Sequence, residues 1–404
     1  MRAYVRVLVV LALAAVAFWV STGITLSMVA GQRQPELIMR WWPPSASARA
    51  ALAAQILQER PSRARLARAR DLAIAALNRE PVNVIASRTL GLTAALSGND
   101  ALAHRLFTYS ESLSRRDVPT QLWLLEDRVQ HNDVAGALLH YDRALRVSEG
   151  VRDLLLPVLA QASADPAIAP QLARLVTTRP SWWPYYLDHL LRESNSPRAV
   201  AQVIATMRLN PNDEIEGAWL GRALDRLVVL GAYQPAYAIY RNAVRRPDEG
   251  ALIRNGDFEA SDKLPTFEWA LVDEPGLGAV REPREGAAGG GALSVVSSSG
   301  RSGEVARQLI LLRPGAYRLA VKAGEVPQDA GSRPALSVIC SGAQPQGLTQ
   351  IRLQPAGTAG NPNIQRFVVP ASGCPAQWII ISTGTDPDEQ GSTPWIDDIR
   401  IVGD

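Results

Sequence analysis

Lysine is nearly missing from this chain. Of its 42 basic residues all but Lys263 and Lys322 are arginine, and beside the abundant alanine this reads as genome composition rather than function. Neither charge sign dominates: 42 basic against 39 acidic residues leave a net charge of +3, too balanced for a nucleic-acid binder. The arginines are spread along helical stretches beside acids, as in Arg70-Asp71 and Glu126-Asp127-Arg128, the pattern of a solvated helix surface. Histidine occurs only at 104, 131, 140 and 189, with no metal-ligand or triad neighbour at readable spacing. Because none follows residue 250, a Ser-His-Asp triad cannot be completed within the last third of the chain. The chain also has no Gly-x-Ser-x-Gly elbow, no Walker loop, no His-Glu-x-x-His and no dinucleotide-binding glycine fingerprint after a strand.

Charge is absent from one long run, Val7 to Gly31. About 20 apolar residues cross a bilayer core, so the run is long enough to span, and it exceeds the 7–15 residues of a signal-peptide core. Ser27-Met-Val-Ala30-Gly31 is a poor cleavage site, with Met28 at the −3 position, which favours an uncleaved transmembrane anchor over a cleaved signal. Arg2 and Arg6 precede the run, and the positive-inside rule then keeps residues 1–6 cytoplasmic and puts the bulk on the far side. Trp41 and Trp42 either sit near the headgroups or pack on the first helix of the following domain. Cysteine occurs only at 340 and 374, each where a strand-like run meets a turn. Two cysteines in one small β region of an exported chain suggest a disulfide. With no histidine nearby they do not complete a tetrahedral metal site.

A chain of 404 residues fits two domains plus a membrane segment. From 32 to 250 the pattern is helical. Asn132 to Leu145 and Gly231 to Val244 place small and aromatic residues at Ala137, Tyr141, Ala144 and at Ala236, Tyr240, Ala243. Positions i, i+4 and i+7 share a helix face, where small side chains let paired helices approach. Weaker copies hold Ala69, Ala73, Ala76, Pro81 and Ala199, Val203, Thr206, Pro211; another runs from Gly98 to Phe107, after Leu90-Gly91. Asn99 and Asn132 are 132 − 99 = 33 residues apart, close to a 34-residue period. These residues resemble tetratricopeptide repeats. The resemblance implies an all-α solenoid whose concave face binds a protein partner. It fails between 150 and 195, where Pro157, Pro166, Pro170, Pro180 and Pro184 interrupt the pattern. Trp182-Trp183 and Tyr185-Tyr186 in that stretch read as packing around broken helices rather than as a binding patch.

From 251 to 404 strand-like runs alternate with Gly/Pro/Ser turns. Strands are expected over 292–296, 305–312, 317–321, 336–340, 365–369 and 378–382. The opening phrase Leu252 to Glu259, with its Asn-Gly-Asp-Phe-Glu, and the closing Pro394 to Ile401, with its Ile-Asp-Asp-Ile, resemble the first and last strands of a carbohydrate-binding, galactose-binding-like jelly roll. Arg313-Pro-Gly-Ala-Tyr317 resembles the tight turn before its tyrosine-bearing core strand. The resemblance implies an all-β sandwich and two sites. One is a structural calcium where first and last strands meet, held by Glu259 and Asp398, with Asp257 and Asp397 as alternates; only one of Asp397 and Asp398 can face inward. The other is a glycan site in which sugar rings stack on Phe267, Trp269, Trp378 or Trp395, edged by loops 286–291, 344–347 and 383–392. Buried tryptophan in a sandwich core is the competing reading.

The whole then reads as a non-catalytic, single-pass envelope protein of a bacterial inner membrane, its bulk periplasmic. Protein binding by the repeats and glycan binding by the jelly roll suggest an accessory factor in making, exporting or retaining a surface polysaccharide. The alternatives are a pure interaction scaffold and a membrane-tethered glycoside hydrolase. A hydrolase needs two facing carboxylates, and Asp386, Asp388 and Glu389 are the acids near Trp395.

Overall fold

The structure, a computed structural model, describes residues 2–404 except 59, 61, 245–250, 299–300, 343–344, 356–362 and 385–392. Asp386, Asp388 and Glu389 therefore lie outside the described residues. The architecture is a long apolar N-terminal helix, an all-α region and an all-β jelly-roll sandwich. The helices are α1 (Arg2–Ala30), α2 (Pro35–Trp41), α3 (Ala46–Ile56), α4 (Arg63–Leu77), α5 (Val84–Leu96), α6 (Asp100–Leu113), α7 (Val118–Gln130), α8 (Val134–Val147), α9 (Arg152–Ala162), α10 (Ala169–Thr177), α11 (Trp183–Glu193), α12 (Pro197–Met207), α13 (Glu214–Val229) and α14 (Tyr233–Val244). The chain divides into two compact units, residues 1–159 with 179–184, and 160–178 with 185–404.

In the first unit α1 carries the apolar run Val7–Ala30. Each helix from α3 to α8 packs on the next. The start of each is set by a capping side chain, Ser45, Ser62, Asn83, Asn99, Asp117 and Asp133, whose oxygen accepts an amide N–H of the first turn that would otherwise lack a partner. Two of these intervals reveal the repeat: 117 − 83 = 34 and 133 − 99 = 34 residues. The helix ends agree, because Gly98 and Asn132, again 34 apart, both take the left-handed conformation that stops a helix. The small residues do the work expected of close crossings. Ala69, Ala73, Ala76 and Ala144 are fully buried, and a side chain at Gly91 of α5 would meet the Phe107 ring of α6 at 3.0 Å. Trp182 is also fully buried, its indole N–H donating to Asp142 at 2.9 Å.

The prolines of the 150–195 stretch do not abolish helix. Pro170 and Pro184 fall in the first turns of α10 and α11, where a missing N–H costs nothing; only Pro157 sits inside a helix. Tyr186 is fully buried, bonded to Ser163 at 2.7 Å.

The second unit also holds the strands β1 (Ala270–Leu271), β2 (Asp273–Glu274), β3 (Leu277–Pro283), β4 (Gly291–Ser297), β5 (Gly303–Ile310), β6 (Gly315–Gly324), β7 (Ala335–Ser341), β8 (Gln346–Arg352), β9 (Ile364–Val369), β10 (Ala376–Thr383) and β11 (Trp395–Gly403). They form a five-stranded sheet, β1-β5-β10-β7-β8, and a six-stranded sheet, β2-β3-β4-β11-β6-β9, with antiparallel pairing throughout. From β4 onward the chain passes repeatedly between sheets, the jelly-roll habit. Leu293, Leu319, Leu336, Val338, Ile379, Ile381, Ile396 and Ile399 meet in the core between them. Tyr317 stacks on Phe367 and donates its hydroxyl to the Arg313 carbonyl at 2.9 Å, fastening the turn before β6.

Each expected strand overlaps an observed one, although 305–312 ends at Ile310 and the closing phrase pairs only from Trp395; the exception is the opening phrase. The opening phrase Leu252 to Glu259 is not a strand. Asn255 and Phe258 have φ of 47° and 56°, so the segment coils and cannot keep a ladder. It still meets the closing phrase: Ile399 N–H donates to Gly256 O at 2.9 Å, and a Cβ at 256 would collide with the Ile399 carbonyl at 2.2 Å. Glycine is needed there for that approach.

Cys340 and Cys374 form a disulfide across a 34-residue separation. On loop length alone, removing both sulfurs (Cys340→Ala with Cys374→Ala) should cost about 3–4 kcal/mol, read as a lowered denaturation midpoint. In the helical array His140 is buried, its Nδ1–H donating to Gln121 Oε1 at 2.7 Å. Burial lowers its pKa, Glu111 and Asp133 raise it, and Arg143 and Arg128 lower it. A histidine held neutral in the fold binds fewer protons than when unfolded. Its contribution is therefore complete above about 6.5 and declines as pH falls below that value. His140→Gln should flatten the fall in stability measured below pH 6.5.

Candidate functional site

The four aromatic residues singled out for stacking separate cleanly. Phe267 is buried against Tyr237 and Tyr240 of α14. Trp269 lies in the sandwich core beside Phe258, its indole N–H donating to Asn255 O at 3.0 Å. Trp395 lies flat on Gly324 of the neighbouring strand, where any Cβ would enter the ring at 2.1 Å, and is only 6% exposed. None of these three offers a face to a sugar. Trp378 is partly exposed, because on β10 it alternates with the core residues Ile379 and Ile381 and so points away from the core.

The neighbours of Trp378 follow from the register. Directly opposed residues in a sheet share a face. Leu309, Trp378, Ile339 and Gly347 form one rung across β5, β10, β7 and β8; Arg307, Ile380, Ser337 and Gln350 form the next; Glu304, Ser382, Ala335 and Arg352 the one after. Rungs recur about every 7 Å and strands about every 5 Å. The result is one partly exposed indole beside a polar strip. The Arg307 guanidinium lies 5.0 Å from the Trp378 ring centroid and 3.5 Å from Glu304, a cation–π contact that fixes the ring. Arg307, Gln350 and Arg352 are exposed and carry unused hydrogen-bonding directions. At the other end the sheet face is covered. Leu309 is buried beneath the segment whose Thr266 carbonyl it bonds at 3.0 Å, and Ser341 donates to the Tyr233 hydroxyl of α14 at 3.1 Å. None of these polar neighbours was legible in the sequence, since β8 carries no strong strand pattern and register is a tertiary property.

The four acids singled out for calcium also divide. Asp397 is fully buried; its Oδ2 accepts from Ala288 N–H at 2.5 Å and its Oδ1 from Asp398 N–H at 2.6 Å. Glu259 Oε1 accepts from Gly291 N–H at 2.8 Å. Both therefore grip the glycine-rich loop 284–291. Asp257 is exposed. Asp398, the residue favoured on sequence, turns outward to Arg400 at 2.5 Å. The cause is a bulge in β11 between Asp397 and Arg400, with Asp398 at φ 51°. The extra residue brings Ile399, not Asp398, back to the core face, while the alternate, Asp397, on the face opposite to the core residue Ile396, is buried under the loop. Among the described residues no three His, Cys, Asp or Glu side chains gather to hold a metal ion, and neither Glu259 nor Asp397 has an ion-pair partner. A calcium ion here would take side-chain oxygens from these two and the rest from backbone carbonyls.

Two cavities open in this unit away from Trp378. One of about 860 Å³ lies between α12, α13 and α14, and one of about 480 Å³ lies between Tyr237, Arg313 and the Pro370–Pro375 turn. Neither gathers a nucleophile with a base.

No family model matches the chain, and no curated protein matches it. Among solved structures, one described as "Family 16 Carbohydrate Binding Module-2" is similar at a TM-score of 0.22 and 16% identity, covering 31% of this chain and 85% of that one. A second, "CBM4 structure and function", is similar at 0.25 and 17% identity, covering 38% of this chain and 99% of that one.

Burial raises the Asp397 pKa, and the N–H donors of Ala288 and Asp398 draw it part of the way back. Since the folded value lies above the unfolded value of about 3.8, protonation favours the fold, and stability grows as pH falls through that window. Asp397→Ala strands two N–H donors and should destabilise the chain by about 1–3 kcal/mol at neutral pH. The gap between wild type and variant should widen as pH is lowered toward 4, measured by chemical denaturation.

Proposed function

We propose that this is a non-catalytic, membrane-anchored envelope protein whose sandwich binds glycan on the Trp378 face of the five-stranded sheet. One observation carries the reading: a partly exposed indole, fixed by Arg307, beside two rungs that are polar apart from Ile380 and Ala335. Sugar rings stack on a flat apolar surface while a few polar groups fix their hydroxyls. The 34-residue helix-hairpin period supports a tetratricopeptide-like array that binds a protein partner. The disulfide supports an oxidising compartment for the sandwich, hence a cytoplasmic N-terminus, α1 across the inner membrane and a periplasmic bulk. A protein joining a glycan to a protein partner at that membrane fits an accessory role in making, exporting or retaining a surface polysaccharide. Calcium bound through Glu259 and Asp397 would steady the 284–291 loop. The competing reading is a scaffold without glycan binding, favoured by the partial exposure of one ring, Trp378, among the described residues of this face, where two coplanar rings would make a stronger platform.

The test is a glycan array probed with the full chain in detergent, with calcium and with chelator. Trp378→Ala is expected to weaken binding about tenfold or more, equivalent to about 1.4 kcal/mol, with unchanged near-ultraviolet circular dichroism. Chelator should lower the thermal midpoint more than it lowers affinity, because Asp397 lies on the other sheet and Glu259 in the coil that meets it. A folded wild-type chain that binds no glycan gives the answer to the scaffold.

A further inference from the structure

The end of α1 is not a free tether. Trp42, the residue after α2, folds back onto the apolar helix: its ring lies 4.5 Å from that of Trp19, edge to face, and a Cβ at Gly23 would enter it at 2.4 Å. Residues 19 and 23 are one turn apart on one face. Below that contact Ser27 Oγ bonds Ser45 Oγ at 2.6 Å, and Ser47 Oγ donates to the Ser27 carbonyl at 3.0 Å. The first three helices are thus locked together through the last three turns or so of α1.

Distances along α1 decide where this elbow lies. Gly23 precedes the helix end, Ala30, by seven residues, about 10 Å. The apolar run of 24 residues is about 36 Å long, against a hydrocarbon core of about 30 Å. However the surplus is shared between the two sides, Trp42 lies about 4–10 Å beneath the edge of the hydrocarbon, the depth reached by interfacial helices.

The elbow is built for such a place. Trp42 N–H donates to Ile38 O at 2.7 Å, Pro43 and Pro44 have no N–H, and Ser45 N–H donates to Trp42 O at 3.1 Å. The turn from Trp42 to Ser45 therefore brings no unpaired backbone donor into lipid, where one would cost several kcal/mol. Leu37 and Trp41, one turn apart on α2, are 60% and 41% exposed, an apolar face turned away from the protein. Arg33 and Arg40 are exposed on either side and pair with no carboxylate among the described residues.

We propose that α2 and the Trp41–Pro44 elbow are seated in the boundary of the bilayer that α1 leaves, with Leu37 and Trp41 among acyl chains, Trp42 buried against α1 at that depth, and Arg33 and Arg40 on headgroup phosphates. This rests on the reading of α1 as a membrane span. The seat holds the first helices of the array at a set height and tilt over the lipid, which a flexible tether does not.

The test reconstitutes the full chain in phosphatidylcholine–phosphatidylglycerol vesicles whose acyl chains are brominated both near the headgroup, for Trp41, and near the chain end, for Trp19, and reads quenching of tryptophan emission against unbrominated vesicles. Trp19→Phe and Trp41→Phe should each reduce the quenchable emission. Arg33→Gln with Arg40→Gln should reduce the quenching that Trp41 contributes. If Trp19→Phe reduces it and Trp41→Phe leaves it unchanged, α1 is in the bilayer and the seated elbow is overturned. If neither does, the membrane span itself fails. If the arginine pair changes nothing while Trp41→Phe does, phosphate binding is overturned and only the apolar seat stands.

Discussion

The C-terminal unit depends on how α14 meets the five-stranded sheet. Tyr240 packs on Phe267 and donates its hydroxyl to Glu268 at 3.0 Å, while Tyr233 accepts from Ser341. Glu268 is only 6% exposed, and a buried carboxylate is tolerable only when its oxygens are satisfied. The amides of Lys263 and Leu264 supply two further donors, with the Arg254 guanidinium 3.8 Å away. Thr266 adds a bond to Asp225 of α13 at 2.6 Å. The last helices and the sandwich are thereby one folded body, although their secondary structures differ completely. The same seam covers one end of the sheet and leaves the Trp378 end in solvent, so the helices define the extent of the open face.

A second constraint closes the sandwich at its opposite sheet. Asp397 of β11, on the face opposite to the core residue Ile396, lies under the 284–291 loop, Glu259 holds the far end of that loop, and Gly256 bonds Ile399. Three separate parts of the chain are joined by these few contacts. The polar groups involved are backbone amides and carboxylates, so the loop is ordered by charge-assisted hydrogen bonds rather than by apolar packing.

Much of the architecture was legible before any coordinates. The charge-free run at the N-terminus, the alanine spacing of 69, 73 and 76, the strand runs at 336–340 and 378–382, and the pairing of two cysteines are local patterns, each with a local cause. The site was less legible. Phe267, Trp269 and Trp395 carry the same chemistry as Trp378, and residue type cannot say which indole is covered by Gly324 and which lies beside Arg307. Asp397 and Asp398 are identical neighbours, and only a bulge separates their roles. The opening phrase has the composition of a strand end but coils, because left-handed residues at 255 and 258 break the ladder.

The sequence by itself determined where helices start, where the chain changes from helix to strand, and which segment avoids charge, because capping, periodicity and hydropathy act over a few residues. Only the tertiary structure decided which of the four aromatics is partly exposed, which aspartate is buried under a loop and that Trp42 returns to α1. Those outcomes depend on register, bulges and close approach between residues far apart in the chain, and such contacts are set by packing that no local pattern records.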